Sequence, residues 1–404
     1  MYVLYKLDTE EKVNKNSKLK ILFINLPYFG HVVPTLGLVE ELVKRGIQVT
    51  YLLPYDWQKV VSIDGVQFVG YENHKKLSVQ IVNAYLAAEK IVASYDLVVY
   101  EQFFFLGKHL AENYGKPVVR IFTAPATNDQ LMKEYIEAGG ALGIFRHKWI
   151  GRLFTKEILK NISKENTTEI SMKTDCWLDE IVQNSPDLNL VYTLEEYQPY
   201  REAFSDKSFQ FLGASIYKRK EETFTIPTGE KPVIYISLGT VVKGAKTFFC
   251  HCMKAFADED VTVIMAVGKT FPIKKLKNVP SNFYVCSFVP QLAVLEKADV
   301  FVTHGGMNSV SEALVCGVPM VVIPFVADQP TNARRIQELG LGKKLEYKKV
   351  NASVLKNEVL AVLQDDEMKR KVSYMQQKME TCPGNVAGAE QILEYYKKES
   401  LLHE

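Results

Sequence analysis

Residues 287–334 read SFVPQLAVLEKADVFVTHGGMNSVSEALVCGVPMVVIPFVADQPTNAR, and this stretch restricts the fold more than any other. Asp299–Thr303 is a short apolar run of the kind that fills a buried parallel strand. His304-Gly305-Gly306 lets the backbone turn sharply, since glycine takes positive φ at little steric cost. The pattern places Asn308 or Ser309 as the cap of a helix that ends at Gly317, with Pro319 just beyond. Met320–Pro324 is the next strand, and Phe325–Pro330 the loop after it. In a parallel α/β sheet, ligands bind beyond the carboxyl ends of the strands. His304, Gly306, Asn308, Ser309, Asp328 and Gln329 are therefore expected along one sheet edge. A Gly-Gly turn feeding a helix N-terminus offers free N–H groups and a favourable dipole to a phosphate. The stretch predicts a nucleotide site.

The rest of the chain alternates in the same way. Lys20–Leu26 is the first expected strand, followed by a loop over residues 27–33, with Pro34 fitting the first turn of a helix that Gly46 closes. Ile47–Leu53 makes the second strand of a βαβ unit, for which a right-handed crossover is expected. A helix over 77–94, a strand over 96–100, a helix ending near Gly115 and a strand over 117–122 follow. From Asn128 to Val182 the pattern is mostly helical and less regular, and Leu188–Tyr192 resumes the sheet. A polar, breaker-rich boundary lies between Gly213 and Pro232. Beyond it the plan recurs, with strands over 233–238, 261–267 and 283–289. The expected fold class is α/β, two Rossmann-like parallel-sheet domains facing a central cleft. The domains are set at 1–215 and 232–385, with a linker over 216–231 and a closing helical segment over 386–404.

The ordered set FVPQ, HGGMNS, SEAL and ADQP resembles the nucleotide-sugar signature of the UDP-sugar-dependent glycosyltransferases of the GT-B architecture. It is similar to the bacterial macrolide-type glucosyltransferases, and also to plant secondary-metabolite enzymes, over residues 19–396. A lone HGG is weak evidence; the four motifs in this order and spacing are strong. The resemblance implies that the last helix crosses back to brace the first domain.

It also implies a chemistry, the displacement of UDP from a sugar by an acceptor hydroxyl with inversion at the anomeric carbon. For the pyrophosphate, the helix after Gly306 offers N–H groups, and His304 and Thr240 are placed to donate. By the family's pattern Phe288 and Val289 hold the uracil, Phe288 standing where plant enzymes have tryptophan. Glu312, with Gln291 nearby, matches the residue that binds ribose hydroxyls. Asp328 and Gln329 match the pair that binds sugar hydroxyls, and glutamine there goes with glucose as the sugar. His31, in Gly30-His31-Val32-Val33-Pro34, matches the catalytic base, a role suited to a side chain that titrates near neutral pH. The family pairs it with an aspartate, where this chain has Glu101, one methylene longer.

Each residue has a plainer alternative. A helical carboxylate is usually a solvated face, an aromatic is usually core, and a lone histidine is more often structural. Phe103–Phe105, Phe122 and residues 128–150 are candidates for the acceptor pocket on the same footing. A nicotinamide-dependent oxidoreductase would use similar units, but no GxGxxG follows a strand. Asp258-Glu259-Asp260 matches a metal-binding DxD only formally. It precedes a strand, at the edge opposite the site, and no metal is expected. A nucleotide-sugar-binding helper with a weakened dyad, and a UDP-sugar epimerase, remain as alternatives.

Bulk properties set bounds. A length of 404 residues suits two or three domains of ~150 residues each. The net charge of +2, without a long basic run, gives no sign of nucleic acid or an anionic membrane as partner. Six scattered cysteines form no CxxC, in keeping with a reduced, cytoplasmic setting. The charged first twenty residues lack a signal-peptide core, and no run approaches the ~20 apolar residues of a membrane span. The expected partners are a UDP-sugar donor, UDP-glucose by the resemblance, and a small hydroxylated acceptor.

Overall fold

A computed structural model describes residues 18–139, 142–165, 170–216, 230–239, 245–382 and 384–402. The first half begins with β1 (Lys20–Ile24), α1 (Phe29–Lys44), β2 (Gln48–Pro54) and β3 (Gln67–Tyr71). It continues through α2 (Leu77–Val92), β4 (Leu97–Glu101), α3 (Gly107–Asn113) and β5 (Val118–Phe122). Helices α4 (Asp129–Glu137), α5 (Lys148–Glu165) and α6 (Trp177–Gln183) lead to β6 (Leu188–Val191) and β7 (Phe209–Phe211). The strands run in parallel, in the order β3-β2-β1-β4-β5-β6-β7.

The second half opens with β8 (Val233–Ser237), α7 (Lys246–Phe256), β9 (Thr262–Ala266), β10 (Phe283–Cys286) and α8 (Gln291–Leu295). Next come β11 (Val300–Thr303), α9 (Met307–Val315), β12 (Met320–Val322), α10 (Gln329–Glu338) and β13 (Gly342–Lys344). Helices α11 (Ala352–Gln364), α12 (Asp366–Thr381) and α13 (Gly384–Leu402) close the chain. This sheet is parallel too, in the order β10-β9-β8-β11-β12-β13. β1, β4, β8 and β11 are each covered on both faces, so their sequences are continuous apolar runs rather than alternating ones.

Both sheets reverse their winding beside the first strand. The switch points, between β1 and β4 and between β8 and β11, are where open α/β sheets leave a crevice. His31 follows β1, Glu101 ends β4, Gly239 follows β8 and His304 follows β11. The topology thus assembles the site before any side chain is considered.

α13 returns to the first half. Ala389 and Ile392, both buried, join Leu38, Val39 and Leu42 in one core. The approach is close, since a Cβ on Gly37 would stand 2.1 Å from the Asn385 side-chain nitrogen. Arg45 pairs with Glu390 at 3.2 Å across the same seam. Ile392→Ala is expected to cost about 2–5 kcal/mol of docking free energy. It would show as faster proteolysis and amide exchange in α13, with the two sheets still protected.

Several expectations need correction. α1 starts at Phe29, so His31 sits in its first turn and Pro34 lies inside the helix. The N–H groups of His31 and Val32 both close on the Tyr28 carbonyl at 2.9 Å, adding a turn ahead of the proline. Asn308 and Ser309 do not cap α9, because Gly306, which has no side chain to bond with, occupies the cap position. Phe104, Phe105 and Phe122 are buried in the core; only Phe103 of that group is partly open. The short strands β3, β7 and β13 had no distinct sequence signal. All six cysteines are free, and among the described residues no helix is long and apolar enough to cross a membrane.

Candidate active site

Asn25, fully buried just past β1, fixes the entry to α1. Its amide donates to the His31 carbonyl at 2.8 Å and to the Tyr51 hydroxyl at 3.2 Å. Its oxygen accepts from the Leu26 N–H at 2.7 Å. The His31 ring, 23% exposed, turns Nδ1 to the Glu101 carboxylate, 2.9 Å from Oε1. Glu101 is fully buried, and its other oxygen accepts from the Phe103 N–H at 3.0 Å. The extra methylene is thus absorbed by anchoring the carboxylate at the strand end. Thr123, one residue past β5, completes the cluster. Its hydroxyl lies 3.1 Å from His31 Nδ1 and 3.4 Å from Glu101 Oε1.

With Nδ1–H directed at a carboxylate, the free lone pair of His31 belongs to Nε2. Burial lowers the pKa of the ring, but the charge and hydrogen bond of Glu101 and the charge of Asp328 outweigh it and hold it above the ordinary value. The pair's contribution to stability is therefore complete below the unfolded value of ~6.5 and is lost as pH rises through the folded one. Phe103 meets the ring edge-on at 4.7 Å, and Tyr28 at 5.9 Å.

From the second half, His304 is packed between two glycines. A Cβ on either Gly239 or Gly306 would lie 2.7 Å from its ring. Burial pulls its pKa down to about 4, so the ring is neutral near pH 7 and keeps a single N–H to donate. Beside it, the first-turn N–H groups of α9 lack helical partners by construction. Asp328 Oδ2 accepts from the Met307 N–H at 3.3 Å and from Asn332 at 2.8 Å, bridging the starts of α9 and α10. Burial raises the pKa of Asp328.

Gln329 is buried, and its Oε1 accepts from the N–H groups of Phe325 at 2.9 Å and Val326 at 3.2 Å. This holds a loop whose Ala327 has φ +60°, a strained value for a residue with a Cβ. Shaping the loop engages the carbonyl end of Gln329. Gln291 is a hub. It accepts from the Tyr235 hydroxyl at 3.1 Å and donates to Ser309 at 3.2 Å and to Glu312 at 2.6 Å. Phe288 is 52% exposed, with the Lys269 ammonium 5.0 Å from its ring centre, whereas Val289 is buried.

The expected residues from the second half are thus gathered at one sheet edge, except Thr240, which lies outside the described residues. Asn25, Thr123 and Tyr135 also stand at the site, and no sequence motif marks them. The Tyr135 hydroxyl is buried without a partner among the described residues and senses the charge of Asp328. Placement just past a strand end was the available signal for Asn25 and Thr123. Asp258-Glu259-Asp260 lies before β9, at the opposite edge, where Asp260 pairs with Lys231 at 2.8 Å and Glu259 with Lys356.

A family model described as "UDP-glucoronosyl and UDP-glucosyl transferase" matches residues 213–380. The NDP-glycosyltransferase YjiC of Bacillus subtilis (strain 168) is 32% identical over 95% of this chain and 99% of its own length. The chain belongs to the UDP-glucoronosyl and UDP-glucosyl transferase family. The oleandomycin glycosyltransferase of Streptomyces antibioticus is 27% identical, over 89% of this chain and 86% of its own. Among solved structures, the glycosyltransferase of kitacinnamycin superposes with a TM-score of 0.81 at 26% identity, covering 94% of this chain and 99% of that one. The calicheamicin glycosyltransferase CalG4 gives 0.78 at 27% identity, covering 94% and 98%. This glycosyltransferase therefore has the GT-B architecture, and His31 and His304 stand at the switch points of its two sheets.

Proposed function

We propose that this glycosyltransferase moves glucose from UDP-glucose to a hydroxyl of a small, largely apolar natural product, with inversion, without a metal ion, and with His31 as general base. The observation that carries the reading is the pairing of His31 Nδ1 with a buried carboxylate at the first sheet's switch point, with Asp328 of the other half close enough to raise the ring's pKa. The bound pyrophosphate lies against the start of α9, where His304 donates one hydrogen bond. Phe288 supports the uracil, and Glu312, held by Gln291, takes the ribose hydroxyls. Asp328 and the amide end of Gln329 take hydroxyls of the sugar. Nε2 of His31 accepts the acceptor's proton as the new C–O bond forms and the bond to UDP breaks on the opposite face. Glu101 stabilises the imidazolium that results. The acceptor class is supported by relatives named for oleandomycin and calicheamicin.

Calorimetric titration tests the donor site. UDP and UDP-glucose are expected to bind in the presence of a chelator, with dTDP-glucose weaker and NAD silent. Losing one hydrogen bond to a charged phosphate, His304→Ala is expected to weaken UDP roughly 10- to 100-fold. A mass-spectrometric acceptor screen in the same buffer then looks for a hexose added to a hydroxyl. Donor binding without transfer to any acceptor would favour a helper protein, and release of a second UDP-hexose would favour an epimerase.

A further inference from the structure

The outer face of α5 joins exposed apolar side chains to a row of lysines. Its inner face buries Gly151, Thr155, Ile158 and Ile162. At helical spacing the opposite face presents Trp149 and Leu153, one turn apart, followed by Lys156, Lys160 and Lys164. Trp149 is 59% exposed and Leu153 56%, and Ile144 in the turn just before the helix is 62% exposed. The helix carries five basic residues and two acidic ones, while the whole chain has a net charge of only +2. Arg152 and Lys148 are paired with Asp175 and Asp179. Lys156, Lys160 and Lys164 have no acidic partner among the described residues, and Glu157 is engaged by Lys76 and Ser78. Formal charge over the full sequence hides this segregation, which the fold creates by turning the apolar side of α5 inward.

We infer that this face of α5 docks on the surface of an anionic lipid bilayer. Exposed tryptophan and leucine amid cations is the composition of a helix lying in the membrane interface, its apolar side chains entering the headgroup region. Three lysines on one face, none with an acidic partner among the described residues, match a negative lipid surface, each contributing about fivefold in affinity at moderate salt. The turn before α5 packs against α4, which supplies Glu134 to an ion pair with Arg334 of the second half.

The protein carries its own reporter. Of its three tryptophans, Trp57 and Trp177 are 8% and 1% exposed, so acrylamide quenching of the folded protein reads Trp149. Vesicles of phosphatidylcholine with about one-third phosphatidylglycerol are expected to blue-shift the emission and protect it from quenching. Phosphatidylcholine alone is expected to do neither, and high salt to reverse both effects. Reversing two of the charges, Lys156→Glu with Lys160→Glu, is expected to weaken vesicle co-sedimentation more than tenfold, with UDP binding unchanged as proof of fold. Leu153→Ser is expected to weaken it too, with Trp149 still present as reporter. Failure of anionic vesicles to protect Trp149 would overturn the inference, as would equal protection by neutral vesicles. Protection by duplex DNA in place of vesicles would assign the face to nucleic acid instead.

Discussion

His31→Ala is expected to lower kcat by about 10²–10⁴-fold, the usual contribution of a positioned general base, while UDP affinity stays near that of the wild type. The separation follows from the fold. His31 stands at the switch point of the first sheet, whereas the residues proposed to hold the nucleotide stand at that of the second. Rapid-mix kinetics on the wild type would also show an acid limb, because protonated His31 cannot accept a proton. Glu101 and Asp328 hold its pKa above the ordinary value, so the limb falls on the alkaline side of ~6.5. His304, with a pKa pulled down to about 4, stays neutral across that range and adds no step of its own. Unchanged kcat in His31→Ala would remove the histidine from the mechanism.

Glu101→Gln is expected to cost about 10³-fold, since an amide neither stabilises the imidazolium nor enforces the Nδ1–H tautomer. Amplitude alone would not separate this from a damaged fold, but the pH profile would. Removing the anion removes the main force raising the His31 pKa, so the acid limb should move to lower pH. Glu101→Asp, although it restores the residue usual in the family, is expected to lose on the order of 100-fold. The shorter side chain cannot keep both the 2.9 Å contact with His31 and the 3.0 Å contact with the Phe103 N–H. Thr123→Val should give a smaller loss that Thr123→Ser restores. An aspartate variant as active as wild type would mean that the carboxylate's anchoring does not matter here.

Much of this was legible in the sequence. Period and punctuation suffice for strand–helix alternation, because a parallel strand buried on both faces must be an unbroken apolar run and glycine must mark the turns where φ is positive. The motifs around His304 and His31 could be placed at strand ends for the same reason. Other features were not legible. Which strands neighbour each other, and so where the winding reverses, depends on pairings between segments far apart in the chain. The resemblance named Glu101 as the partner of His31, but how the longer side chain reaches the ring follows from the β1–β4 pairing and from a backbone N–H that no side-chain pattern reports. The roles of Asn25, Thr123 and Gln291 likewise arise from contacts across loops. α1 starts ahead of the turn that Pro34 marks because proline opens a helix only on average, and the Tyr28 carbonyl here closes an earlier turn. Local chemistry determined the elements and the type of residue at each strand end. Tertiary structure decided which of those ends meet, since that depends on packing the two sheets and returning α13 across them.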